Sequence, residues 1–329
     1  MKIITPSKAV VLMMGLALAS SGCAKNKDVD PSITNIVVTN PDFKLLEDAA
    51  IRGGVAITLG NKNPNDPQGN YTVFAPTNAA FNRLGIREAI DLAALQPGFL
   101  TSTLLYHVYS GSLAGSALAA GSTSASLLGP TRRIVTRADG IKYVNGSKIL
   151  GTDVKAANGL VHPIDKVMIA TGVDIVKSAQ MLQNAQVFAQ PELTFLVEAV
   201  IYADLAGTLS SPGPFTVFAP TDQAFRDLGV ALNVPLIQPS DIRKLPKSTV
   251  KAVLLNHALG GVQGGRFTTE LPEGTTVASA GGAPVTLGVF TNGVLTVKGA
   301  KNTLPANMVI PDVQCTNGVV HVIDRVLLP

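Results

Sequence analysis

The apolar residues of this chain follow two rhythms, one of helices and one of strands. In KSTVKAVLLNHAL (247–259), Val250, Val253 and Leu254 lead to His257 at i, i+3, i+4 and i+7, one stripe along a helix. Leu100, Leu104 and His107 repeat the stripe earlier in the chain. NPDFKLLEDAAIRGG (40–54) and QPELTFLVEAVIYADL (190–205) also read as helices. The β-branched runs GLVHPID (159–165) and GVVHVID (318–324) read as strands. RIVTRADGIKYVNGSKIL (133–150) and PVTLGVFTNGVLTVKG (284–299) read as short strands, with the Asp-Gly of RADGIK and the Asn-Gly of FTNGVL as tight turns. Helices precede a strand-rich half, which predicts an α+β fold.

The pattern is written twice. YTVFAPTNAAF (71–81) returns as FTVFAPTDQAF (215–225) with eight of eleven positions identical, too many for chance. TLLYHV (103–108) matches VLLNHA (253–258), and NGLVHPIDKVMI (158–169) matches NGVVHVIDRVLL (317–328). Three blocks in one order describe a duplicated domain, with copies at 32–170 and 171–329. The opening block predicts a strand-to-helix corner. TVF is a short apolar strand stopped by AP, and Thr77 stands where a helix N-cap belongs. Pro76 and Phe81 then occupy the two ends of a hydrophobic staple. Pro220, Thr221 and Phe225 repeat the arrangement.

All four histidines fall in the repeated blocks: His107 with His257, and His162 with His321. On a core-facing stripe, a histidine reads as a neutral ring bonded to backbone rather than a metal ligand. His162 with Asp165, and His321 with Asp324, resemble acid–base dyads, but residues three apart on a strand point to opposite faces. No Ser or Cys nucleophile recurs beside them, and no zinc or phosphate-loop spacing occurs. The reading is of a protein without a catalytic set, a metal or a cofactor. The sequence carries 26 basic and 22 acidic residues and no Trp, which offers no basic footprint for nucleic acid.

The first residues differ in kind. MKIITPSKAVVLMMGLALASSGC has Lys2 and Lys8, a short apolar stretch, then small residues up to Cys23. That is the pattern of a secretory signal over residues 1–22. ASSGC resembles the lipobox of bacterial lipoproteins, with Ser20 where Leu is usual; the resemblance makes Cys23 the lipid-carrying mature N-terminus. The polar stretch 23–31 then reads as a tether. The expected place is the bacterial cell envelope, reached by export across the inner membrane, with the lipid in the outer membrane. With Cys23 acylated, Cys315 has no partner and reads as a buried small residue.

The set TVFAPT..AF, a Tyr-His-like pair and NG.VH.ID, in that order and twice, resembles the fasciclin domain. The resemblance implies two tandem domains, each a wedge of β-sheets with helices packed on one side; as separate repeats they are expected to melt separately. It also implies an adhesion or matrix-binding module. In some animal members the Tyr-His pair takes part in receptor binding; Tyr106 and His107 match it, while the second copy has Asn256 before His257. The function expected is a non-catalytic, envelope-anchored module that binds a protein or glycan partner and meets the membrane through its lipid only. The alternative is a lipid- or small-molecule-binding envelope protein, favoured by any exposed apolar patch near Phe215, Phe225 or Phe267.

Overall fold

The computed structural model describes residues 30–184 and 193–329. Cys23, the segment before it, the tether as far as residue 29, and residues 185–192 lie outside the described residues. The first repeat contains strands β1 (Tyr71–Pro76), β2 (Val108–Ser110), β3 (Thr123–Ala125), β4 (Thr131–Thr136), β5 (Lys142–Val144), β6 (Ser147–Lys148), β7 (Val154–Ala156), β8 (Gly159–Ile164) and β9 (Ile169–Ala170). The second contains β10 (Phe215–Pro220), β11 (Ala258–Leu259), β12 (Thr276–Ala278), β13 (Pro284–Leu287), β14 (Thr296–Gly299), β15 (Ala306–Cys315) and β16 (Gly318–Ile323). Helices lead each repeat and pack on one side, so the architecture is α+β in two tandem domains. Among the described residues, no helix is long and apolar enough to cross a membrane.

The first repeat forms two sheets, ordered β2-β1-β8-β7 and β3-β4-β5-β6. In the second repeat β15 is ten residues long and bulged, and it carries one path through both layers, β11-β10-β16-β15-β14-β13-β12. At the centre of each repeat lies a parallel pair: β1 beside β8, with Tyr71 opposite Gly159, and β10 beside β16, with Phe215 opposite Gly318. The opening block and the closing block of each repeat are therefore neighbours. Side chains alternate across that pair. Val73, Ala75 and Val161 face the helices, while Phe74 and Ile164 face the core between the sheets. Val217, Ala219 and Val320 repeat the first set, and Phe218 and Ile323 the second.

The glycine of each closing block is set by this pairing. A Cβ on Gly159 would lie 1.8 Å from the Tyr71 carbonyl oxygen, and one on Gly318 2.1 Å from that of Phe215. The asparagine before it ties down the leading helix. Asn158 accepts from the Ile33 N–H and donates to the Leu59 and Asn61 carbonyls. Asn317 accepts from Ile175 and donates to Leu209 and Ser211. Thr72 and Thr216 hold the loop that crosses beneath, donating to Gly111 and Gln263 and accepting from Leu113 and Arg266.

The two corners differ in their caps. Thr221 accepts from the Ala224 N–H at 3.1 Å and starts the ten-residue helix Asp222–Ala231. Thr77 makes no side-chain cap bond. There the Ala80 N–H turns to the Thr77 carbonyl at 2.9 Å, the tight turn of a helix only five residues long. Phe81 and Phe225 are both 3% exposed, in the helix-side cores of their repeats. Phe267 is buried too and Phe215 half-buried.

All four histidines are buried. His107 follows helix Pro97–Tyr106; its Nδ1 donates to the Thr103 carbonyl at 2.7 Å and its Nε2 accepts from the Met168 N–H at 3.0 Å. His257 does the same with Val253 at 2.7 Å and Leu327 at 2.8 Å. His162 accepts at Nδ1 from the Asp153 N–H and donates from Nε2 to Leu113; His321 uses Asp312 and Arg266. Each ring spends both nitrogens on backbone, one giving and one receiving, which requires the neutral form. Asp165 instead accepts from the Lys148 N–H and pairs with Arg83, and Asp324 accepts from Asn307.

Three outcomes follow from these contacts. Phe81→Ala and Phe225→Ala should each cost roughly 3–5 kcal/mol in urea unfolding, as buried aromatic truncations do. Thr221→Ala should cost about 1 kcal/mol through its lost cap, whereas Thr77→Ala should cost below about 0.5 kcal/mol. Burial holds His107 and His257 down at about 4, against an ordinary value of 6.5. The unfolded chain therefore takes up protons that the folded rings refuse as pH falls from 6.5. Their stabilising share is complete above that pH and lost toward pH 4, by about 3 kcal/mol per ring. Unfolding free energies at pH 7 and 4.5 should show the fall, and His257→Gln should lessen it.

Candidate functional site: the junction between the repeats

The two repeats are joined through their sheets. β9, at the end of the first repeat, pairs in parallel with β15 of the second, Ile169 opposite Val313 and Ala170 opposite Gln314. Beneath this strand lies a buried ion pair. Lys166 and Asp312 are 5% and 6% exposed, and Nζ meets the carboxylate at 2.7 Å. Lys166 also donates to the Gly293 carbonyl at 2.7 Å and meets the Thr268 hydroxyl at 3.4 Å. Asp312 accepts further from the Thr268 N–H at 2.7 Å and its hydroxyl at 2.9 Å. Every proton and lone-pair direction of consequence is used, the condition under which a buried pair offsets its desolvation.

Asp312 holds this position through its backbone. It sits at φ +67°, its N–H bound to His321. Asp153, at φ +63° with its N–H bound to His162, is its counterpart, and there the carboxylate accepts from the Gly115 N–H instead. One repeated device thus serves as a loop cap in the first domain and as the anchor of the junction in the second.

Tyr106 and His107 are each 1% exposed, so neither ring is presented at the surface. The Tyr106 hydroxyl bonds to Asn145 and to Gln314 of the second repeat, and burial pushes its ionisation well above the usual phenol range. Asn145 (φ 44°) and Gly146 (φ 81°) form the Asn-Gly turn between β5 and β6. Asn256, in the place of Tyr106, donates instead to the Leu327 carbonyl within its own repeat. The Tyr-His motif therefore does different work in the two copies. Arg132, wholly buried, donates to the Tyr106 and Ala125 carbonyls and to Ser124, and burial lowers it to about 10.

At the outer side of the junction the surface opens into a groove of about 630 Å³, within the range of ligand clefts. Its walls come from both repeats: Thr123, Thr131 and Arg133 from the first, Phe267, Gln314 and Asn317 from the second. The Arg133 guanidinium lies 4.5 Å over the Phe267 ring, donating to Glu270 at 2.8 Å and to the Gly265 carbonyl at 2.6 Å. Next to it Arg137 pairs with Glu273 and lies 4.1 Å over Phe290. The groove presents threonine hydroxyls beside an Arg133–Glu270 pair stacked on Phe267, while the Gln314 and Asn317 amides on its wall are already bonded within the protein. It contains no nucleophile with a base. Among the described residues no cluster of His, Cys, Asp and Glu could hold a metal. Cys315 is buried in the groove's floor, where desolvation raises its thiol to about 11 and leaves it unreactive.

Sequence reasoning named Tyr106, Phe267 and Cys315 but did not place them at a junction, and it singled out none of Lys166, Asp312, Asn145, Arg133 and Gln314. Lys166 lies directly after the repeated Asp of NG.VH.ID, and Asn145 within an Asn-Gly pair, and these are the only local signals.

The family model of the fasciclin domain matches the chain twice, over residues 41–170 and 191–329. A protein of Synechocystis sp. is 40% identical over 134 residues, which are 40% of this chain and 86% of that protein. The transforming growth factor-beta-induced protein ig-h3 of Sus scrofa is 29% identical over 266 residues, 79% of this chain and 35% of that protein. Human periostin is 26% identical over 263 residues, 80% of this chain and 29% of that protein. The chain thus spans about a third of the length of these two animal relatives. A domain pair from the insect cell adhesion molecule fasciclin I aligns with 90% of this chain and 96% of its own, at 17% identity and a TM-score of 0.38. With the family model matching most of both repeats, the chain belongs to the fasciclin family.

Proposed function

We propose that this chain is a non-catalytic interaction module, held at the bacterial cell envelope by a lipid on Cys23, which binds a protein or glycan partner in the groove between its repeats. The observation that carries the reading is the groove itself, built from both domains around the stacked Arg133 and Phe267. A rigid two-domain wall loses little freedom on binding, which favours affinity. Membership of the fasciclin family supports the interaction role. Burial of all four histidines on backbone partners supports the absence of catalysis.

The two parts of the proposal separate in experiment. Thr131 is exposed on the groove wall, so Thr131→Trp should obstruct it without disturbing the core. Binding of the purified, tether-free chain to immobilised envelope proteins and to envelope glycans should weaken at least ten-fold in one of the two arms. Equal binding by wild type and Thr131→Trp in both arms would remove the groove from the account. Cys23→Ser should move the full-length protein from membranes to the soluble fraction; retention on membranes would overturn the anchor alone.

A further inference from the structure

The first repeat contains a second concavity, remote from the junction in kind and in chemistry. It lies under the helix Ile33–Thr39, between that helix and Lys44–Arg52, with Val73 and Leu104 as its floor. Its volume is about 160 Å³. Ile33, Val37, Leu46 and Val55 line it, all buried, and Val38 and Ile51 stand at its mouth, 50% and 63% exposed.

Its polar neighbours are already engaged. His107 borders the cavity with both nitrogens bound to Thr103 and Met168. The Thr34 hydroxyl donates to the Ala56 carbonyl, and Glu47 is held by Lys44. A space of this size without a free hydrogen-bonding group stays dry; a cavity of about 150 Å³ lined by aliphatic and aromatic side chains binds benzene or xenon. A ligand entering it displaces no well-held water and gains the contacts that its lining lacks.

The second repeat shows how the sequence makes the space. Counting from the equivalent helix starts, Leu45 and Phe195, Ala50 corresponds to Val200 and Val55 to Leu205. The two frames agree in backbone as well, since Val55 bonds to the Ala50 carbonyl as Leu205 does to that of Val200. Larger side chains occupy these positions in the second core, joined by Leu182 from the helix Ile175–Asn184, ten residues long against seven in the first repeat. The small residues of the first repeat leave the room open.

We infer that this cavity is a binding site for the hydrocarbon end of an amphiphile, a group of about six to eight carbons whose polar head stays at the mouth between Val38 and Ile51. The site is independent of the groove and of any partner held there. The probe is 1-octanol, titrated against the full chain and followed by the methyl NMR signals of Val37, Val55 and Leu104. The result expected is saturable movement of these signals, with the melting temperature rising with octanol concentration. The variant Ala50→Val with Val55→Leu carries the second repeat's own residues and should bind at least ten-fold more weakly. With wild type alone, 1,8-octanediol should also bind at least ten-fold more weakly than 1-octanol, because its far hydroxyl would be buried without a partner. Unmoved methyl signals, equal binding by the filled variant, or equal binding of the diol would each overturn the inference.

Discussion

The parallel pairing of β1 with β8, and of β10 with β16, is the constraint on which each domain depends. It places the carbonyl of Tyr71 or Phe215 against the backbone of Gly159 or Gly318, where no side chain fits. From that contact the neighbouring roles follow along the strand. Asn158 and Asn317 reach outward to fix the leading helix, and Val161 and Val320 reach into the helix-side core. His162 and His321 reach the other way, to the loop that Thr72 and Thr216 hold. Parallel strands far apart in sequence carry a large loop-closure cost, so such a pairing needs many locks to form in one register. The residues written twice are those locks.

The junction reuses one of them for another purpose. Asp153 caps a loop within its own repeat, whereas Asp312 turns the same backbone geometry toward Lys166 of the first. A lysine and a carboxylate buried together are costly unless fully hydrogen-bonded, and truncating one partner typically costs 3–5 kcal/mol. With β9 inside the second sheet and Tyr106, Asn145 and Gln314 bonded across the boundary, the repeats share one interior. The expectation of two separately melting domains does not suit this arrangement. Relative motion of the repeats would have to expose the buried charge.

The sequence made the repeats, the α+β class and the cores legible, because they rest on periodicity and on identical blocks. Phe81 and Phe225 could be placed in the core by counting from the corner. Thr221 could be read as a cap; Thr77 could not be told from it, since the choice between side-chain and backbone acceptor depends on how tightly a one-turn helix winds. Tyr106 could be matched to the Tyr-His pair, but its partner Gln314, 208 positions away, could not be read from the sequence. Lys166 and Asp312 lie 146 positions apart, and nothing local in the sequence marks them as partners. The cavity under Ile33 depends on the absence of three or so methyl groups, visible only when the two repeats are laid over one another.

The central claim is that the two repeats form one cooperative unit joined through Lys166 and Asp312. Scanning calorimetry of the full chain with Lys166→Ala tests it most directly. The account predicts a single transition for wild type with calorimetric and van't Hoff enthalpies equal, and a loss of about 3–5 kcal/mol in Lys166→Ala. Two separate transitions in wild type, or a Lys166→Ala variant that melts as wild type does, would contradict it.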